Sequence, residues 1–217
     1  MIKLLWKSRN RHAAKPGVVR FYPLCDDDYT ASEKIYQVAW QISLMNPDCR
    51  INCALWKTIF SNIEAVLNYW TGSTYVGERK SISIESAFQQ FFEALYCFIQ
   101  NCKTSRYHKF REFSRKALYQ GVLYRYLGHS ELSDSRKCVR PQYNKIYVSW
   151  SKNKENKYLE SKLYGVKTLL ACNVNYPYFG IDLSAFGMSR GNEREVVFPT
   201  IEETMTSIKF IEENDDE

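Results

Sequence analysis

The strongest constraint on this chain is a change of hydrophobic period near Gly121. Before it, apolar residues recur every three or four positions; after it, they fall into short, alternating runs. Both patterns are satisfied when helices from the first half pack on a sheet built from the second. The helical signal is strongest over 85–101, where Phe88, Phe91, Phe92, Leu95, Phe98 and Ile99 form one stripe. A second helix is predicted over 53–70, with Leu55, Ile59, Ile63, Val66, Leu67 and Trp70 on one face. A third, over 107–119, is basic through Lys109, Arg111, Arg115 and Lys116, with Arg106 just ahead of it. Thr30 and Glu33 have capping-box spacing, so a further helix is expected to start at Thr30 and to end at Asn46-Pro47.

Beyond Gly121, strands are predicted over 122–127, 145–150, 178–183, 195–198 and 207–211. Leu159, Leu163, Val166 and Leu170 predict one amphipathic helix over 155–171, and 187–192 reads as a loop. The expected fold class is α+β. A helical region, 1–117, with a basic N-terminal segment, packs on a β-rich core, 118–212, followed by an acidic tail, 213–217.

Composition narrows the function. The chain has 16 Tyr, 12 Phe and 5 Trp, too much apolar surface for a disordered protein. No apolar run approaches the roughly 18–20 residues of a membrane span, so no membrane partner is expected. Seven cysteines without a Cys-x-x-Cys, beside three histidines, predict reduced thiols, no metal site and a cytoplasmic location. The last sixteen residues hold seven acids and one lysine, net −6, so the rest of the chain is +12 where the whole is +6. Such a body fits an anionic partner: a nucleic acid, a nucleotide or an acidic protein face.

Three local patterns carry candidate chemistry. Arg125 places a charge inside an apolar strand, and a guanidinium is suited to bidentate phosphate binding. Ser149-Trp150-Ser151 ends a strand, with both hydroxyls on one face and the indole on the other. Glu193-Arg194-Glu195 leaves a glycine-rich loop and enters Val196-Val197-Phe198-Pro199. If extended, its two carboxylates share a face about 7 Å apart. One can stabilise positive charge at a sugar carbon while the other takes a proton from a nucleophile. Taken alone, each pattern reads better as a strand edge, a strand terminus or a solvated charge cluster.

The order Arg, then Ser-x-Ser, then Glu-x-Glu resembles the Arg–Ser–Glu class of mono-ADP-ribosyltransferases, which includes the cholera-toxin-like and arginine-specific bacterial toxins. The resemblance covers about 118–212 and is carried most strongly by 180–199. It implies an ADP-ribosyltransferase-like β core with NAD as co-substrate and no metal. It implies that Arg125 binds the NAD phosphates, Ser149 holds the rotamer of Glu195, and Ser151 supports the nicotinamide-side ribose. Glu195 would bond the ribose 2′-OH and stabilise the oxocarbenium-like transition state, and Glu193 would orient or deprotonate the acceptor. Phe186 and Arg190 would lie on the acceptor-facing loop. Tyr158, Tyr164, Tyr176 and Phe179 are candidates to stack on nicotinamide. One departure is Trp150, where the family usually has Thr.

The function that follows is transfer of ADP-ribose from NAD to a macromolecular acceptor, either an RNA or DNA base or a protein arginine. Glu193 favours arginine, and the basic body favours nucleic acid. The setting implied is an intracellular toxin of a toxin–antitoxin or phage-defence system, with an antitoxin partner. The alternative is a nucleic-acid-binding or partner-binding protein on a catalytically inactive transferase fold.

Overall fold

The phenylalanine stripe forms the central helix of a four-helix layer among the described residues. The computed structural model describes residues 28–49, 53–72, 82–127, 146–154, 168–188, 194–200 and 209–212. The helices are α1 (Asp28–Ser43), α2 (Cys53–Thr71), α3 (Ile82–Cys102) and α4 (His108–Ala117). Helix α3 buries Phe88, Phe91, Phe92, Leu95 and Ile99 completely, against Ile35, Val38 and Ile42 of α1 and Ile63, Val66 and Leu67 of α2. Fully burying one such side chain contributes about 1.5–3 kcal/mol, so the helices are held by this shared face.

The strands are β1 (Leu118–Tyr119), β2 (Gly121–Leu127), β3 (Ile146–Ser151), β4 (Thr168–Val174), β5 (Gly180–Asp182), β6 (Glu195–Thr200) and β7 (Lys209–Glu212). They form one antiparallel sheet in the order β1-β5-β6-β3-β2-β4-β7. The architecture is α+β. Tyr147, Ile181, Leu183, Phe186 and Val197 join the helical core from the sheet. A second core lies on the other face, where Leu123, Cys172 and Val174 from β2 and β4 meet Trp150, Val196 and Phe198 from β3 and β6.

Four local expectations are corrected. Residues 168–171 are strand, not the end of a helix, because Thr168–Val174 pairs along the whole of β2 and, over its first four residues, with β7. Helix α4 stops at Ala117, since Leu118 and Tyr119 are taken into β1. Helix α1 is already running at Asp28, two residues ahead of Thr30. Leu183 begins a short 3-10 turn, Leu183–Phe186, rather than ending a strand. The N-terminal basic segment, the acidic tail and residues 155–167 of the expected helix lie outside the described residues.

The junction between β2 and β3 positions the site. Strand β3 pairs with β6 along its full length, but among the described residues it meets β2 only at Tyr124 and Ser151. Beyond that rung, side chains take the place of the ladder. Gln89 of α3 accepts from the Tyr147 N–H at 2.6 Å and donates to the Tyr147 carbonyl at 3.3 Å. The Ser149 carbonyl accepts from Arg125 Nη1 at 3.2 Å. Buried main-chain groups must find partners, and here an amide and a guanidinium supply them.

Candidate active site

Three neighbouring strands and one helix converge on Glu195. It is the first residue of β6 and lies opposite Ser151 in the register, on the same face as Ser149 and Tyr147. Ser149 Oγ donates to Glu195 Oε1 at 2.6 Å. Trp70 Nε1, from the last turn of α2, donates to that same oxygen at 2.9 Å. Both groups act as donors here, so one carboxylate oxygen accepts two hydrogen bonds. Trp70 is held in turn by edge-to-face contacts with Phe88 and Phe92, at centroid distances of 4.9 and 4.8 Å.

Arg125 of β2 reaches the main chain of Ser149. Its side chain is half-buried, and its bond to the Ser149 carbonyl ties β2 to the residue that holds Glu195. Ser151 is buried, and its Oγ accepts the Asn153 N–H at 3.0 Å, turning the chain after β3. Trp150 fills the opposite core, 4% exposed, and its Nε1 has no hydrogen-bond partner.

A buried ion pair braces the entry to β6. Lys152 Nζ lies 2.6 Å from Asp182 Oδ2, and Asp182 Oδ1 accepts from the N–H and Oγ of Ser184 at 3.0 and 2.6 Å. Lys152 also donates its main-chain N–H to the Arg194 carbonyl at 3.3 Å, next to Glu195. The Tyr119 ring lies 5.5 Å from the Lys152 ammonium. Burial, with Asp182 nearby, raises the Tyr119 phenol above its usual range.

Two expected placements change. Phe186 does not face an acceptor: it is 4% exposed and packs on Phe60 and Phe113, with centroids at 6.0 and 5.4 Å. The 3-10 turn, capped by Asp182, rotates it into the core. Arg194, the middle residue of Glu-x-Glu, is not extended: its φ is left-handed at 39°. Glu193 and Arg190 lie outside the described residues, as do Tyr158 and Tyr164. Tyr176 is 81% exposed, and Phe179 lies beneath the Lys103 ammonium at 4.2 Å.

Sequence reasoning missed Trp70, Lys152 and Asp182 as parts of this site. Trp70 reads as one more apolar residue on the α2 stripe. Its signal was the indole N–H, which on burial usually finds an acceptor. Among the described residues no cluster of three or more His, Cys, Asp or Glu side chains could hold a metal. No helix there is long and apolar enough to cross a membrane.

Compared with family models, with curated proteins and with solved structures, the chain matches none.

Proposed function

We propose that this protein is a mono-ADP-ribosyltransferase, moving ADP-ribose from NAD to a macromolecular acceptor. The observation that carries the reading is the grip on Glu195. Ser149 and Trp70 hold one carboxylate oxygen, while Arg125 on the adjoining strand is tied to the Ser149 carbonyl. A fixed carboxylate, with a guanidinium tied to the main chain of the serine that holds it, suits a substrate with anionic phosphates and a reaction that develops positive charge at a sugar carbon.

In that reaction the bond from the ribose C1′ to the nicotinamide nitrogen breaks, and its electron pair leaves on a neutral nicotinamide. Glu195 stabilises the cationic C1′. The acceptor lone pair forms the new bond to C1′, and the acceptor proton passes to a carboxylate, the part assigned to Glu193, and on to water. Arg125 holds the phosphates, and Trp70 with Ser149 keeps Glu195 from rotating away.

Radiolabelled NAD added to a lysate with the purified protein tests this, with protein and nucleic-acid fractions counted separately. Label that appears with the wild type and disappears with Glu195→Gln, whose fold is checked by circular dichroism, is the expected result. Intact NAD and no label in either fraction would overturn it.

A further inference from the structure

Six cations without a carboxylate partner cluster on the helical layer. Lys103, Arg106, Lys109, Arg115 and Lys116 are exposed and Arg111 is half-buried. Among the described residues none of the six enters a salt bridge, and the single acid of this stretch, Glu112, faces His108 at 3.6 Å. Their side-chain contacts are neutral, while the main-chain N–H of Arg106 donates to Asp48 Oδ1 at 2.8 Å. Arg111 Nη1 donates to the Ser105 carbonyl at 2.6 Å, and Arg106 Nη2 to the Tyr107 hydroxyl at 3.1 Å. The Arg106 guanidinium lies 4.9 Å from the centre of the Tyr107 ring.

Helix stability does not account for this placement. Lys109 and Arg111 occupy the first turn of α4, where the helix dipole disfavours cations, and no acid stands there. Arg111 and Arg115 are like charges at i and i+4. Only Arg115 and Lys116, in the last turn, sit where the dipole favours them. The opposite side of α4 is anchored by buried Phe110, Ser114 and Ala117, so the cations are held outward.

The patch is also near the candidate site. Helix α4 runs directly into β1, where Leu118 pairs with Ile181, Ile181 with Val197, and Val197 with Ser149. Three strand spacings put the end of α4 about 14 Å from Ser149. Phe113 of α4 packs on Phe186, just before the segment that leads to Glu195.

We propose that this face docks a single-stranded nucleic acid and presents it to the Glu195 site as the acceptor; the second half of the statement rests on the transferase reading above. Phosphates match a run of unpaired cations. The exposed Arg106 guanidinium, lying over the half-buried Tyr107 ring, offers unpaired bases a planar cationic stacking surface.

Fluorescence anisotropy with a labelled single-stranded RNA of about twenty nucleotides, and with DNA of the same sequence, tests docking without NAD. The outcome is thus independent of the transferase reading. The wild type is expected to bind at least one strand. The Lys109→Glu/Arg115→Glu/Lys116→Glu variant should bind about tenfold or more weakly, with a salt slope shallower by about 2. Arg115→Glu and Lys116→Glu oppose the helix dipole, so if the thermal midpoint falls, Lys109→Gln/Lys116→Gln takes its place. Failure to bind either strand, unchanged binding by the variant, or stronger binding to polyglutamate would overturn the docking surface. With labelled NAD added, transfer to the bound strand that falls in the variant, while cleavage of NAD by water persists, supports delivery. Docking with label only in protein would overturn delivery and leave the transferase reading standing.

Discussion

Trp70 donates its indole N–H to Glu195 Oε1 across 2.9 Å, joining residues 125 positions apart in the sequence. The contact makes the helical layer a part of the candidate site rather than a neighbour of it. Trp70→Phe keeps a ring against Phe88 and Phe92 and removes only the donor. A hydrogen bond to a charged group contributes about 1.5–3 kcal/mol, so kcat is expected to fall by roughly tenfold or more. The KM for NAD should change little. Steady-state kinetics on labelled NAD checks this, and equal changes in both constants would contradict it. Independently of activity, Glu195→Gln should shift one indole N–H signal in the nitrogen–proton correlation spectrum, the one that Trp70→Phe deletes.

The Lys152–Asp182 pair is expected to be costly to break. Both side chains are largely buried, and Asp182 also caps the 3-10 turn. Removing one partner of such a pair leaves a buried charge and costs about 3–5 kcal/mol. Lys152→Met should therefore lower stability by about 3 kcal/mol in urea unfolding. Lys152→Met with Asp182→Asn should recover part of that loss. A double variant no more stable than the single one would show that the pair is not what braces the turn.

Phe186→Ala separates a core role from an acceptor-facing one. The ring is buried against Phe60 and Phe113, so its loss should cost about 3–5 kcal/mol, as for other buried phenylalanines. Choice of acceptor should stay the same. Unchanged stability with an altered acceptor would restore Phe186 to the binding surface.

Alkaline pH should unfold the protein earlier than its net charge alone would. Burial, with Asp48 nearby, pushes the Cys102 thiol up to about 12, and burial, with Glu93 nearby, raises the Tyr147 phenol as well. Both groups keep their protons in the fold after the unfolded chain has lost them. The unfolded state then binds fewer protons, so stability falls as pH rises. For Cys102 the loss begins near the ordinary thiol value of about 8.5–9 and continues to about 12, at up to about 1.4 kcal/mol per pH unit. Urea midpoints at neutral and alkaline pH measure it, and Cys102→Ala should flatten the slope. A slope that Cys102→Ala leaves unchanged would refute the assignment.

The helices were legible because each carries one broad apolar face, and the period of Phe88, Phe91, Phe92, Leu95 and Ile99 admits no other element. Strand β4 was not legible, because Leu159, Leu163, Val166 and Leu170 happen to share helical spacing. What decides for strand there is non-local: β2 and β7 lie on either side of Thr168–Val174. The nearness of Arg125, Ser149 and Glu195 could be read only as an ordered series of motifs. That they occupy adjacent strands follows from the crossover order of the sheet, which periodicity does not encode. The left-handed Arg194 was equally illegible; its carbonyl accepts from the Lys152 N–H after β3, a non-local contact.

The single rung between Tyr124 and Ser151 gives the sheet a seam. On either side, strands are zipped by ladders of six and seven residue pairs, β3 to β6 and β2 to β4. Across the seam, the Arg125 side chain reaches the Ser149 carbonyl, while Gln89 of α3 takes up the Tyr147 main chain that no β2 residue pairs with among the described residues. Fluctuations concentrate where the fewest bonds must open together. Among the described strand pairs, the line beside Ser149 is the one held by the shortest ladder. The clasps that close this line are side chains, which turn on single bonds, where the rest of the sheet is closed by backbone.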